Sequence, residues 1–368
     1  MKTAYTHCTI YTSEEQLTGK AILVNNGVIE DITDAGSIDT GYDIKDLEGL
    51  NIAPGFIDLQ IYGGNGKLFS ADLDTASIQA TYEYCLKGGC TQFMITMATN
   101  TIEIFLKGME AVRHYWEQGG KGLLGLHLEG PYLNPEKKGA HLADCIKKPT
   151  VAEVKMLLDQ GGGVLKMMTV APEVCDAAII ELLLQNGIIV SAGHSNATYE
   201  EATAKFATGI PTATHLFNAM SPLQSRAPGI VGAIYNDDQI KASIVADGIH
   251  VDFAAVSISK KIMGKRLFFI TDAVAESSRG GYQHIFTGDR YTLPNGTLSG
   301  SALTMMKAVN NVVQHCNIPL DEALRMASTY PAQLLSGDIL LGRIAKGYAA
   351  DLVVFDDKLS VREVITNG

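Results

Sequence analysis

Four short blocks carry groups with which a protein could cut a bond. They are His127-Leu128-Glu129-Gly130-Pro131, Gly193-His194-Ser195, Thr214-His215-Leu216-Phe217-Asn218 and Thr271-Asp272-Ala273. Each closes or follows a short run rich in Ile, Val, Leu, Met or Phe. The Glu129 carboxylate and the His194 and His215 imidazoles make a ligand set for a divalent cation. Three protein ligands leave a fourth position for water, as a catalytic zinc site requires. Asp272 is placed to take a proton from that water and pass it to a leaving group. The chemistry expected is metal-dependent hydrolysis.

Each residue also has a plainer reading. Glu129 could be a solvated carboxylate at a loop start, and His194 a hydrogen-bonded structural residue. His215 interrupts an apolar run, which is costly without a partner. Asp272 could be a helix N-cap. His127, two residues before Glu129 and on the same side of an extended strand, could be a ligand, a neighbour of the ligands or a core residue.

The elements that must position these groups recur along the chain. Strand-like runs cover Ile52–Tyr62, Cys90–Met97, Gly122–Leu128, Val164–Val170, Gly187–Ala192, Thr212–Leu216, Ile240–Ala246 and Leu267–Ile270. Segments of helical period such as Asp74–Lys87 and Val151–Asp159 lie between most of them. This alternation predicts an α/β fold, a parallel (β/α)₈ TIM-like barrel over residues 53–340. Glu129, His194, His215 and Asp272 then fall at the tips of the third, fifth, sixth and eighth strands, the face where such barrels act. Residues 1–52 alternate short apolar stretches with turns, and Asn25-Asn26-Gly27 signals a hairpin. Gly342–Phe355 returns to short strands. Residues 1–52 with 341–368 are therefore expected to form a small β-sandwich domain from both termini. Gly63-Gly64 reads as a tight strand exit, not a phosphate loop.

A chain of 368 residues suits one large barrel with a small appendage, and 46% hydrophobic with 19% charged residues is ordinary for a globular enzyme. The net charge of −11 argues against nucleic acid, whose phosphates are bound mainly by Lys and Arg. The six cysteines lack a C-x-x-C pair and read as reduced, mostly buried thiols. No signal-peptide core or spanning run is visible, so no membrane partner and a cytoplasmic location are expected.

Further motifs carry a resemblance. Ala53-Pro-Gly-Phe-Ile-Asp-Leu-Gln60 looks like the first-strand signature of the amidohydrolase superfamily. His127-Leu-Glu-Gly-Pro-Tyr132, Lys138-Gly-Ala-His141, Gly193-His-Ser-Asn-Ala-Thr198, Thr214-His-Leu-Phe-Asn-Ala-Met220, Ala246-Asp-Gly-Ile-His250 and Leu298-Ser-Gly-Ser-Ala302 together closely resemble the N-acetylglucosamine-6-phosphate deacetylase family. The resemblance implies a phosphorylated amino sugar as substrate and one divalent ion per protomer on Glu129, His194 and His215. Zinc is expected, with iron and cobalt compatible with the same ligands. It implies Asp272 as general acid and base, and His141 as the donor that stabilises the oxyanion. His250 would hold the sugar or its phosphate, Asn218 and Ala219 would offer backbone donors to the phosphate, and Ala140 would contact sugar hydroxyls. Arg226 would reach a phosphate across a homodimer interface.

One departure limits the metal count. Many superfamily members carry His-x-His at the end of the first strand, where this chain has Gln60 and Tyr62. Neither is a good ligand for zinc or ferrous iron, which argues for one ion. The rivals are the galactosamine epimer as substrate, another amide hydrolysed by the same chemistry, and a non-catalytic scaffold. The intact Glu129, His194, His215 and Asp272 argue against the last.

Overall fold

The computed structural model describes residues 1–335, 337 and 340–366. Residues 336, 338 and 339 of the expected barrel, and 367 and 368 of the expected small domain, lie outside the described residues. Eight parallel strands run Phe56–Ile61, Cys90–Ala98, Leu123–Glu129, Leu165–Val170, Ile189–Ala192, Thr212–Ala213, Lys241–Ile244 and Leu267–Phe269, each bonded to the next. The last returns to the first where Tyr62 N–H donates to Ala273 O at 2.9 Å and Asp272 N–H to Gln60 O at 3.0 Å. That seam closes the barrel. Asp58 reinforces it from within, accepting from the Thr271 hydroxyl and, at 3.2 Å, from Thr271 N–H.

Helices Thr75–Lys87, Ile102–Glu117, Val151–Gly161, Ala177–Gln185, Tyr199–Phe206, Gly229–Asn236, Phe253–Met263 and Met305–His315 follow the eight strands in turn. Several start where the sequence supplies a cap: Asp74, Thr101 and Thr150 accept from backbone N–H groups three residues on. Thr198 and Glu201 form a reciprocal capping box. The apolar core lies between the strands and these helices.

Several expected strands are cut short, the first and sixth for reasons visible in the backbone. The run Ile52–Tyr62 divides into Asn51–Pro54, which pairs within a terminal sheet, and Phe56–Ile61 in the barrel. Gly55 makes the crossing, and a Cβ there would stand 2.3 Å from Thr91 Oγ1. The small sheets therefore reach residue 54 rather than 52. The sixth strand covers only Thr212–Ala213, because His215, Phe217 and Ala219 take positive φ and the chain turns away. His215 thus lies beyond its strand, not inside it.

Two sheets flank the barrel. One orders Val28–Asp34, Lys20–Asn25, Lys2–Thr6 and Asp43–Asp46; its first two strands form the hairpin expected at Asn26-Gly27. The other orders Val361–Ile365, Leu352–Phe355, Asn51–Pro54, Thr9–Tyr11 and Gln16–Leu17, so both ends of the chain share it. Ile10, Ile22, Ile29, Ile52, Leu352 and Val354 meet in a core of their own. The strand Gly63–Gly64 pairs with Lys67–Leu68, which makes the two glycines a tight exit from the first barrel strand. All six cysteines are free, and five are buried. Among the described residues no helix is long and apolar enough to cross a membrane.

Candidate metal-assisted hydrolytic site

The barrel interior is polar just below its mouth. His127 places Nδ1 3.0 Å from Leu59 O and Nε2 2.8 Å from Thr169 Oγ1. Burial pushes its pKa down to about 4, so it is a neutral, fully bonded core residue. Gln60 and Thr214 extend this layer, with the Thr214 hydroxyl donating to Gln60 Oε1.

Above that floor the strand tips bring the expected ligands together. Glu129 Oε1 lies 2.8 Å from His215 Nε2 and 3.2 Å from His194 Nε2, and the two nitrogens are 3.2 Å apart. Three ligands about 2.0–2.1 Å from a tetrahedral zinc would stand about 3.3 Å from one another. His194 Nδ1 sits 2.9 Å from Lys137 O, so in the neutral ring Nδ1 carries the proton and Nε2 is an acceptor that faces a carboxylate oxygen. A cation between two such acceptors would satisfy both. The donor set therefore fits a divalent metal.

His141 Nε2 also approaches Glu129, at 3.0 Å from Oε2, and Glu129, His141 and His194 offer atoms within 4.8 Å of one another. Hydrogen bonding separates the roles. Thr99 N–H donates to His141 Nδ1 at 3.2 Å, so in the neutral ring Nε2 carries the proton. In that tautomer His141 is a donor, and Glu129, His194 and His215 are left as the set that could hold a metal. Burial and the neighbouring His194 push the His141 pKa down to about 4. Burial works against charge on Glu129, yet His141 and His194 hold its carboxyl well below the usual range.

Asp272 stands at the seam, with Oδ1 2.9 Å from Gln60 Nε2. Burial first, then the Glu129 carboxylate, pushes its pKa well above the ordinary value. The next helix begins only at Met305 once the strap 276–304 has been crossed, so Asp272 is not an N-cap. His194, His215, Ala219 and Asp272 all take positive φ, and backbone strain of this kind gathers at functional sites.

Ala140, His141, Asn218, Ala219 and His250 line the same cavity as Glu129, His194, His215 and Asp272. Asn218 needs a correction. Its backbone N–H already donates to His215 O at 2.9 Å, closing the turn, whereas its side-chain Nδ2 is buried without a partner. Its backbone N–H is therefore not a free donor. His250 Nδ1 is fixed 2.6 Å from Asp247 Oδ2. Arg226 is exposed and lines a separate hollow with Asn196 and Tyr199, so within one chain it is not brought to the site.

Several roles went unread in the sequence, among them those of Gln60 and Tyr62, which were read only as poor metal ligands. Gln60 and Tyr62 stand inside the cluster: Gln60 Nε2 lies 3.0 Å from Glu129 Oε1, and the Tyr62 hydroxyl donates to Glu129 Oε2. Glu173, past the fourth strand, accepts from Ser195 Oγ at 2.7 Å, Asn196 N–H at 2.7 Å and Asn134 Nδ2 at 2.9 Å. It clamps the loop of His194 to the loop that follows Glu129. Its signal was available, since Ala171-Pro-Glu173 repeats the strand-then-carboxylate pattern of Glu129.

The model of the amidohydrolase family matches residues 51–368, and that of the NagA composite domain matches residues 4–52. The chain belongs to the amidohydrolase family. An N-acetylglucosamine-6-phosphate deacetylase of Haemophilus influenzae is 38% identical to this amidohydrolase over 100% of its chain and 99% of the relative. The crystal structure of N-acetylglucosamine-6-phosphate deacetylase from Pasteurella multocida matches with a TM-score of 0.96 at 37% identity, covering 100% of this chain and 99% of that one. An N-acetylgalactosamine-6-phosphate deacetylase of Escherichia coli O157:H7 is 30% identical over 98% of this amidohydrolase and 96% of the relative.

Proposed function

We propose that this amidohydrolase hydrolyses the acetamide of N-acetyl-D-glucosamine 6-phosphate, giving D-glucosamine 6-phosphate and acetate. The observation that carries the reading is the convergence of Glu129, His194 and His215 beside Asp272 and a donating His141 in one cavity. Glu129, His194 and His215 hold one divalent ion per protomer, zinc in this reading, with iron and cobalt suited to the same donors. Such an ion, when bound, polarises the acyl oxygen and lowers the pKa of water.

The chain's own residues move the protons. Asp272, held by Gln60, takes a proton from the attacking water as that oxygen bonds to the acetyl carbon. His141 Nε2–H donates to the oxyanion that develops. Asp272 then returns the proton to the sugar nitrogen as the C–N bond breaks, because an amine leaves poorly unless protonated. His250, Ala140 and the Asn218–Ala219 turn hold the sugar and its phosphate. In this reading Arg226 completes the phosphate site of the partner in a homodimer. The terminal sheets, residues 1–54 with 341–366, form one small domain, and the enzyme works in the cytoplasm.

The galactosamine epimer is the second reading, favoured by the similarity to the Escherichia coli relative. Acetate release from a panel of phosphorylated and free N-acetylated sugars tests both. Turnover of N-acetylglucosamine 6-phosphate well above its epimer is expected. No release from either phosphorylated sugar by metal-loaded enzyme would refute the proposal.

A further inference from the structure

The strap between the eighth strand and the last barrel helix brings a fifth histidine to the cavity, one that the proposed reaction does not use. Along Gly281–Ile285 the burial alternates: Tyr282 and His284 are 4% and 5% exposed, while Gln283 and Ile285 face outward. Period-two alternation turns Tyr282 and His284 to the same side. Both line the cavity that holds Glu129, His141 and Asp272. The His284 ring is fixed from two directions. Its Nδ1 lies 2.9 Å from Ser299 Oγ, and its face stacks on Tyr282 with centroids 6.1 Å apart and planes 10° apart. Tyr282 is anchored in turn, its hydroxyl donating to Thr99 O at 2.7 Å. The other nitrogen, Nε2, has no hydrogen-bond partner among the described residues and is not among the sealed, unpaired atoms.

We infer that His284 is a specificity-determining residue whose free ring nitrogen hydrogen-bonds a hydroxyl of the sugar ring. The inference rests on the substrate reading above. A hydroxyl suits the site better than the phosphate does. With Nδ1 paired to a serine, which can donate or accept, Nε2 is an acceptor or a donor according to tautomer, and a hydroxyl answers either. Burial pushes the pKa of His284 down to about 4, so it offers no cation to an anionic group. A ring pinned on two sides also loses little freedom on binding, and preorganised contacts of this kind discriminate best. Because hydroxyl orientation is what separates sugar epimers, this contact gives the pocket a means of telling them apart.

The test is steady-state kinetics on metal-loaded enzyme with N-acetylglucosamine 6-phosphate and its galacto epimer, comparing wild type with His284→Phe and His284→Gln. Phenylalanine keeps the stack on Tyr282 but cannot hydrogen-bond. It should raise KM for the preferred epimer about five- to ten-fold, the size of one neutral hydrogen bond. Its kcat should stay within about two-fold and its metal content unchanged, and the preference between epimers should shrink. Glutamine should recover most of the lost affinity. An unchanged KM for both sugars in His284→Phe would overturn the inference. So would a fall in kcat or metal content at constant KM, since His284 would then act only through His141 and its loop. If wild type hydrolyses neither sugar phosphate, the substrate reading fails and this inference falls with it. Turnover by wild type with an indifferent His284→Phe sinks this inference alone.

Discussion

At the tips of the third, fifth and sixth strands, Glu129 Oε1 and His194 Nε2 face each other across 3.2 Å, both of them acceptors when the imidazole is neutral. At the tips of the first and eighth strands, by contrast, Gln60 and Tyr62 supply protons to their neighbours: Gln60 Nε2 to Asp272 and Glu129, and Tyr62 Oη to Glu129. One side of the mouth lacks positive charge, and the other is satisfied by its own donors. The difference assigns the work. In the proposed reading a cation belongs on the first side, and proton transfer on the second.

Asp272→Asn should break this division most severely. An asparagine keeps the shape and can still bond Gln60, but it can neither take nor return a proton. Acid–base catalysis by one group is worth about 10²–10⁴-fold, and here both transfers are lost, so kcat should fall at least that far. Metal content, read by mass spectrometry, should match wild type, because Asp272 lies outside the ligand triad. A variant keeping more than about a tenth of wild-type kcat, far short of the loss expected of a general base, would remove Asp272 from the role.

Arg226→Ala should come next in size. Arg226 is exposed in its own chain, so in the proposed homodimer its effect would come through the partner's site. A charge-assisted bond to phosphate is worth roughly 1.5–3 kcal/mol, which is about a 10- to 150-fold rise in KM for the phosphorylated sugar. The unphosphorylated sugar should barely respond. Mixing Arg226→Ala with Asp272→Asn protomers should restore activity in hybrid dimers. No recovery after proven subunit exchange would place the arginine's action within its own chain.

Glu173→Gln sharpens the comparison from the metal side. The carboxylate accepts three hydrogen bonds from the loops that carry Glu129 and His194, and an amide cannot accept them all. Residues that orient metal ligands typically change metal affinity about 10- to 100-fold. The low end of that range is expected, read as the chelator concentration that half-depletes the protein. Unchanged metal affinity would show that the loops hold their ligands without Glu173.

The barrel, and the meeting of Glu129, His194 and His215 at its mouth, were legible in the sequence for the same reason. Buried parallel strands must be apolar, so a Glu or His at the end of such a run stands out, as Glu129, His194 and His215 do. What stayed hidden acts through partners distant in sequence. Gln60 contacts Asp272, Tyr282 contacts Thr99, and His284 contacts Ser299, and no local pattern announces those pairings. Turn geometry was hidden too. The sixth strand looked longer than it is because Leu216 is apolar; its N–H still donates to Ser243 O at 2.8 Å, but positive φ at His215 and Phe217 turns the chain out of regular strand geometry. That same bend engages the Asn218 backbone N–H and leaves its side-chain Nδ2 buried without a partner.

The smallest expected effect is the sharpest test of the two-sided mouth. Wild-type enzyme should hold one tightly bound ion per chain, because a second ion would need ligands from the first strand tip. There an amide and a phenol stand where imidazoles would bind. An amide oxygen is a weak neutral donor, and that of Gln60 already accepts from Thr214. A phenol must lose a proton of pKa about 10 before it binds well. Burial first, then the charge on Glu129, pushes the Tyr62 phenol higher still, so it persists as a donor. Asp58 is no substitute, since its carboxylate is spent on Thr271 and the Gln60 backbone at the closing seam. Gln60→His together with Tyr62→His should therefore move the stoichiometry from one ion towards two. Two tightly held ions on fully active wild-type enzyme would erase the distinction between the two sides and the single-ion reading with it.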